Sequence, residues 1–117
     1  MGRIAVTDGM DDVAVSILET AGHEVVLRHY EPEDLRNGAL ADFDAVVVRS
    51  ATKMTSEAID ASCKEGMLGF IGRAGVGVDN IDIEAATRNG VVVCNTPGAS
   101  TNSVVELTIG HLIASTR

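Results

Sequence analysis

Two runs of apolar residues, AVVVR and LGFIGR, each end in an arginine, Arg49 and Arg73. A guanidinium group is planar and permanently charged, and its donors match the geometry of carboxylate and phosphate. Each charge-assisted hydrogen bond to such an anion contributes about 1.5–3 kcal/mol net. If the two runs are neighbouring strands, both arginines approach one crevice and predict a site for a small anion. The alternative is that each arginine pairs with a surface acid such as Asp79 or Glu57.

A glycine-rich segment, AGVGVDN, follows Arg73 directly. Gly75 and Gly77 permit positive φ and leave successive backbone N–H groups accessible, which favours an anion-binding concavity. A tight turn would use the same glycines. The segment does not match the dinucleotide pattern G-x-G-x-x-G, because Asn80 stands where the third glycine is required.

The histidines and cysteines lack the spacing of metal ligands, and no metal site is predicted. They are His23, His29, His111, Cys63 and Cys94. We expect the histidines to have structural or solvent-facing roles, and the cysteines to be free, buried thiols in a reducing cytosol. Ser50 and Ser100 have no base nearby in the sequence, so nucleophilic catalysis has no support.

Short apolar runs alternate with helical segments along the chain, and Gly, Pro or Asp separates many of them. Strands are predicted at residues 3–7, 24–28, 45–49, 68–73 and 91–95, and helices at 12–21, 55–62, 82–89 and 101–116, with a short helix or loop at 32–40. This alternation predicts an α/β fold with a doubly wound parallel sheet of the flavodoxin-like type and helices on both faces. Ligands of such sheets bind beyond the carboxyl ends of the strands. The segments to examine are therefore 7–8, 49–50, 73–80 and 95–98.

The length and charge of the chain limit its class. A chain of 117 residues with 45% hydrophobic residues fits one compact domain. Its net charge of -8 disfavours binding to nucleic acid and to anionic membranes. The chain has no apolar run of the roughly 18–20 residues that span a bilayer, and its N-terminus does not resemble a signal peptide. We expect a cytoplasmic protein.

The last predicted helix is apolar on two sides. One strip contains Val104, Val105, Ile109, Leu112 and Ile113, and the other contains Leu107 and Ala114. A small sheet covers only one strip of a helix, so this pattern predicts a further neighbour, either another domain or another subunit.

Two long runs are similar to a known family: VVVRSATKMTSEAIDAS, and the run from IGRAGVGVDNID to the C-terminus. They resemble the N-terminal part of the NAD-dependent D-isomer-specific 2-hydroxyacid dehydrogenases. The resemblance implies a flavodoxin-like substrate-binding domain at residues 1–97, followed at 98–117 by the hinge and first helix of a Rossmann cofactor-binding domain. In the family, the active site lies between these two domains.

The resemblance also implies roles for individual residues. Arg49, Ser50 and Arg73, with the backbone of the GVG segment, would bind the substrate's phosphate and carboxylate. The segment comprises Gly75, Val76 and Gly77, and Val76 would also lie near the nicotinamide of NAD. The implied reaction is oxidation of 3-phosphoglycerate to 3-phosphohydroxypyruvate with NAD, the first step of serine biosynthesis, in a homo-oligomer. The catalytic residues are expected beyond Arg117, so the chain alone is predicted to be inactive.

Three other functions stay open. The substrate could be another 2-hydroxyacid, such as one of the hydroxypyruvate or glyoxylate type. The chain could be a stand-alone anion-binding or interaction module without catalysis. A phosphate-accepting receiver module fits poorly, because it needs an acidic cluster after the first strand and an aspartate at the end of the third. Here the third predicted strand ends in Arg49-Ser50, and no lysine follows the fifth.

Overall fold

The computed structural model describes residues 2–9, 12–49, 51–64, 66, 68–73 and 80–95. Strands and helices alternate along this part of the chain. They are β1 (Arg3–Val6), α1 (Asp12–Thr20), β2 (Glu24–Leu27), α2 (Pro32–Arg36), β3 (Ala45–Val48), α3 (Ser56–Lys64), β4 (Phe70–Arg73), α4 (Ile83–Arg88) and β5 (Val92–Asn95). The predicted elements up to residue 95 are confirmed, whereas the predicted helix at 101–116 lies outside the described residues.

Within the described residues the strands form one parallel five-stranded sheet with the order β2-β1-β3-β4-β5. This order confirms the predicted doubly wound α/β fold. The chain moves outward from β1 to β2 and then returns past β1 to β3, so the direction of winding reverses between β1 and β3. In such sheets the crevice at this switch point, at the carboxyl ends of the strands, is the usual place for a ligand.

The hydrophobic core has one layer on each face of the sheet. On one face, Leu18 of α1 packs against a cluster formed by β1, β3 and β4. The other face is covered by α2, α3 and α4, which contribute Leu35, Ile59 and Ala85 among others. All of β3 is buried, as a continuous AVVV run predicts for a central strand covered on both faces.

Local sequence signals set the ends of the helices. The Thr55 hydroxyl accepts a hydrogen bond from the Ala58 N–H at 3.2 Å, just before α3. Asp82 caps α4 by accepting from the Ala85 N–H at 2.9 Å. Gly22 and Gly90 have φ values of 92° and 72°, a conformation that glycine adopts without steric cost after a helix.

Several elements are shorter than predicted. Arg28 and Arg49 lie just beyond the strands in which they were expected, and α2 ends at Arg36 rather than extending to residue 40. Cys63 and Cys94 are free, as predicted, but only partly buried. Burial, with a contribution from Asp60, raises the pKa of the Cys63 thiol. No helix in the described ranges is long and apolar enough to cross a membrane.

Candidate functional site

The two arginines of the predicted anion site lie at the ends of adjacent strands. In the pairing of β3 with β4, Val48 is level with Arg73, and Arg49 is the next residue after Val48. The prediction that these strands are neighbours is therefore confirmed. The Arg49 side chain is exposed, whereas the Nε atom of Arg73 is buried. The backbones of the two arginines meet at the carboxyl edge of the sheet, where a ligand of a doubly wound fold binds.

The segment after β3 is held on one side by Asp8, which follows β1. The Asp8 Oδ2 atom accepts hydrogen bonds from the backbone N–H of Arg49 at 2.8 Å and of Thr52 at 3.0 Å. The Thr52 hydroxyl donates to Asp8 Oδ1 at 2.6 Å. Asp8 reaches this position because β1 and β3 are neighbours and their pairing continues to the Thr7 N–H, which donates to the Val47 carbonyl at 3.2 Å.

Asn80 holds the same segment from the other side. Its Nδ2 group donates to the carbonyl oxygens of Arg49 and Thr52, both at 2.6 Å. Beyond these contacts, the Met54 N–H donates to the Asn80 carbonyl at 2.8 Å, and the Asp82 backbone N–H donates to the Met54 carbonyl at 2.9 Å. The chain after β3 is thus tied to the chain that leads into α4.

The Asp8 carboxylate is almost completely buried, with 3% of its side chain exposed. A buried carboxylate is stable only where donors replace the water that it has lost. The backbone of Arg49 and Thr52, and the Thr52 hydroxyl, supply them. His29 Nδ1 lies 3.7 Å from Asp8 Oδ1, with half of the His29 side chain exposed.

Two cavities flank this edge of the sheet. A cleft of about 430 Å³ between residues 53–57 and 80–82 is lined by Lys53, Glu57 and Asp82 among others. Its two carboxylates disfavour an anion. A more enclosed cavity of about 370 Å³ has the basic residues Arg36 and Lys53 among its lining, together with His29. Of the two cavities, only the second therefore has an excess of basic residues in its lining.

Part of the predicted site lies outside the described residues. This applies to Ser50, Gly75, Val76 and Gly77, whose roles stay predictions, as does a substrate-binding role for Arg49 and Arg73. The structure adds Asp8, Thr52 and Asn80, which sequence reasoning did not assign to the site. A signal existed for Asp8 and Asn80, since both lie in segments predicted to follow strands at this edge, but no role in substrate binding was assigned to either.

The histidines in the described residues differ in their surroundings. His23 is nearly buried and its Nδ1 accepts a hydrogen bond from the Gly2 N–H at 3.1 Å, which confirms the predicted structural role. Burial lowers the pKa of His23. His29 is half-exposed beside Asp8, and His111 lies outside the described residues. Within the described ranges, no group of His, Cys, Asp and Glu could hold a metal ion.

The described residues thus form a parallel α/β domain in which Arg49 and Arg73 follow or end two adjacent strands at the carboxyl edge of the sheet. The family model described as "D-isomer specific 2-hydroxyacid dehydrogenase, catalytic domain" matches residues 4–117. The chain belongs to this family, and the resemblance drawn from the GRAGVGVDNID segment is confirmed.

Several proteins of known name are similar to this chain. The D-3-phosphoglycerate dehydrogenase of Methanocaldococcus jannaschii is 47% identical over 117 residues, which are 100% of this chain and 22% of that protein. The hydroxypyruvate reductase of Thermotoga maritima is 41% identical over 98% of this chain and 37% of its own length. The crystal structure of NAD+-bound 3-phosphoglycerate dehydrogenase from Entamoeba histolytica superimposes with a TM-score of 0.70 at 43% identity, covering 96% of this chain and 38% of that one. The chain thus spans about a fifth to two fifths of these proteins.

Proposed function

We propose that this chain is the substrate-binding part of a D-3-phosphoglycerate dehydrogenase, which oxidises 3-phosphoglycerate to 3-phosphohydroxypyruvate with NAD in the first step of serine biosynthesis. The observation that carries the proposal is the placement of Arg49 and Arg73 at adjacent ends of β3 and β4. The similarity to dehydrogenases of that name supports the choice of substrate.

The substrate carries a phosphate at one end and a carboxylate at the other. In the proposal, Arg49, Ser50 and Arg73 bind these groups together with the backbone N–H groups of Gly75, Val76 and Gly77. Because the net charge of the chain is -8, an anion gains little from the general field of the protein and depends on these local donors. Their contribution to catalysis is to hold the reacting carbon in place.

The cofactor role proposed for this chain is confined to one contact, from Val76 to NAD, and Val76 lies outside the described residues. The chemistry that bound NAD would supply is to accept the hydride from C2 of the substrate. The dinucleotide site and the residue that takes the hydroxyl proton are proposed to belong to a further domain, so that residues 1–117 alone are inactive. The proposal includes a homo-oligomeric enzyme. It also includes a location in the cytoplasm, where the free thiols of Cys63 and Cys94 would stay reduced.

A second candidate is the reduction of an unphosphorylated 2-oxoacid such as hydroxypyruvate or glyoxylate. The similarity to a hydroxypyruvate reductase favours it specifically. The substrates differ in charge, because hydroxypyruvate lacks the phosphate and needs fewer cationic partners. Comparing the KM for 3-phosphoglycerate with that for hydroxypyruvate in the complete gene product therefore distinguishes the two. A stand-alone binding module would bind the anion and show no turnover with either.

Replacing the arginines tests the proposed site directly. We expect Arg49→Ala and Arg73→Ala in the complete gene product to raise the KM for 3-phosphoglycerate about 10- to 100-fold, equivalent to the loss of one charge-assisted interaction. The KM for NAD should stay unchanged. Arg88→Ala is the matched control, because Arg88 is exposed and pairs with Asp60 on the surface formed by α3 and α4. An unchanged KM for 3-phosphoglycerate in both site variants would refute the assigned roles. If Arg73→Ala does not fold, Arg73→Lys is tested in its place.

A further inference from the structure

Asp8 places a negative charge at an edge of the sheet that is proposed to bind an anion. Its carboxylate is 3% exposed, so water screens it poorly. A like charge near a bound phosphate opposes binding, and more strongly where the surroundings exclude water. The presence of this group therefore needs an explanation other than attraction of the substrate.

The contacts of Asp8 supply that explanation. Its partners Arg49 and Thr52 lie 41 and 44 residues further along the chain, so these hydrogen bonds do not form a local turn. Oδ2 binds the two backbone N–H groups at the ends of residues 49–52, and Oδ1 binds the Thr52 hydroxyl. The Thr52 hydroxyl is also 2.9 Å from Thr7 Oγ1. One carboxylate thus holds the backbone of Arg49 and that of Thr52.

Asn80 completes the arrangement from the opposite side. It binds the carbonyl groups of the same two residues, Arg49 and Thr52, whose N–H groups Asp8 binds. Both backbone polar groups of each residue are therefore satisfied without a strand or helix partner. Asn80 is also the residue that directly follows segment 74–79, so it connects the two segments to which substrate contacts are assigned.

We propose that Asp8 and Asn80 are positioning residues, which hold the backbone of Arg49 and of Thr52 so that Arg49 meets the substrate in one geometry. This inference rests on the proposed function and deepens it. Asp8 acts through the shape of its acceptors and not through its charge. An asparagine of the same shape keeps an oxygen for the Arg49 and Thr52 N–H groups, and its amide donates to the Thr52 hydroxyl, which can then donate to Thr7.

The experiment compares Asp8→Ala and Asp8→Asn in the complete gene product. We expect Asp8→Ala to raise the KM for 3-phosphoglycerate about tenfold, because the Arg49 and Thr52 N–H groups lose the acceptor that holds them, with the KM for NAD unchanged. Asp8→Asn should remain within about threefold of the wild type, since the geometry is kept. Asp60→Ala is the control, because Asp60 also accepts side-chain hydrogen bonds but lies on the exposed surface of α3 and α4.

A second readout does not depend on turnover. Hydrogen exchange of the Arg49 and Thr52 amides, followed by NMR, should be faster in Asp8→Ala than in the wild type and nearly unchanged in Asp8→Asn. If the wild type neither binds nor oxidises 3-phosphoglycerate, the proposed function fails, and this exchange experiment still decides whether Asp8 holds the segment.

Two outcomes would overturn the inference. One is an Asp8→Ala enzyme with wild-type KM for 3-phosphoglycerate, and the other is an Asp8→Asn enzyme as impaired as Asp8→Ala, which would mean that the charge is required. If Asp8→Ala does not fold, the comparison passes to Asn80→Ala and Asn89→Ala. Asn89 also donates side-chain hydrogen bonds but lies at the end of α4. Only Asn80→Ala should raise the KM for 3-phosphoglycerate, about tenfold, and equal KM values in the two variants would contradict the proposal.

Discussion

His23 shows how a single side chain makes stability depend on pH. Its Nδ1 accepts a hydrogen bond from the Gly2 N–H, and a protonated ring could not accept this bond. Burial lowers the pKa of His23 below its usual value of 6.5. The unfolded chain therefore binds a proton at His23 more readily than the folded chain does. The contribution of neutral His23 to the free energy of unfolding is fully present above pH 6.5. It is lost as the pH falls through the lower pKa of His23 in the folded chain.

Replacing His23 with Asn should remove this dependence, because the amide oxygen can take the place of Nδ1 as acceptor but does not titrate. We expect the free energy of unfolding of the wild type to fall more steeply than that of His23→Asn between about pH 8 and about pH 5. Urea denaturation across this range measures both curves. Parallel curves would show that His23 does not contribute to the pH dependence.

Asp60 is a solvent-exposed carboxylate and contrasts with the buried carboxylate of Asp8. The hydrogen bond from Asn89 lowers the pKa of Asp60, and Arg88 adds to the effect. Asp60 is exposed, so its pairing with Arg88 contributes little to stability. An aspartate is thus an exposed surface residue at position 60, whereas at position 8 it is buried and binds backbone N–H groups. The difference comes from the surroundings of each residue.

At the scale of elements, short helices depend on their first turn. Helix α4 has only six residues, too few to be stable without capping and packing. Asp82 satisfies the Ala85 N–H, and Ala85 and Ala86 bury the inner face of the helix. The position of α4 matters for the site, because the segment that leads into it contains Asn80.

We expect Asp82→Ala to lower the free energy of unfolding by about 1 kcal/mol, the usual cost of removing an N-cap acceptor. Asp82→Asn should lower the free energy of unfolding by only about 0.3 kcal/mol, because asparagine caps a helix nearly as well as aspartate. Glu84→Ala, in the same first turn, is the matched control. Urea denaturation of the three variants checks this, and an equal loss in Asp82→Ala and Glu84→Ala would show that the cap is not needed.

At the scale of the whole molecule, helices pack on both faces of the sheet. The central strands are more deeply buried than the edge strand β5 and contribute more to stability. Ile71 in β4 is fully buried in the cluster under α2, α3 and α4, whereas Val92 in the edge strand β5 is 45% exposed. Both belong to apolar runs of similar appearance in the sequence. Their burial differs because β4 lies between two strands and β5 has only β4 as a described neighbour.

Truncating these residues should reveal the difference. Ile71→Ala is expected to cost about 2–5 kcal/mol of unfolding free energy, from lost burial and the cavity that remains. Val92→Ala should stay within about 1 kcal/mol, as a partly exposed site does. Chemical denaturation of both variants provides the measurement. Similar losses at the two positions would show that β5 is covered more fully than the described residues indicate.

Much of the architecture was accessible from the sequence, because strands, helices and their boundaries follow from signals within a few residues of each other. Apolar runs such as AVVV predicted buried strands, and Asp82 and Gly90 marked the two ends of α4. The parallel fold then predicted the edge at which ligands bind. The GRAGVGVDNID segment indicated the family, which the comparison confirmed.

Only the tertiary structure showed how Asp8, Asn80 and the segment after β3 fit together. Asp8 next to Gly9 has the local pattern of a turn residue, and Asn80 first stood out as a missing glycine. Their hydrogen bonds join residues between 28 and 44 positions apart, and they form because the sheet order places β1 beside β3 and β3 beside β4. Contacts of this kind depend on which chain segments become neighbours in space, and no local pattern around either residue carries that information.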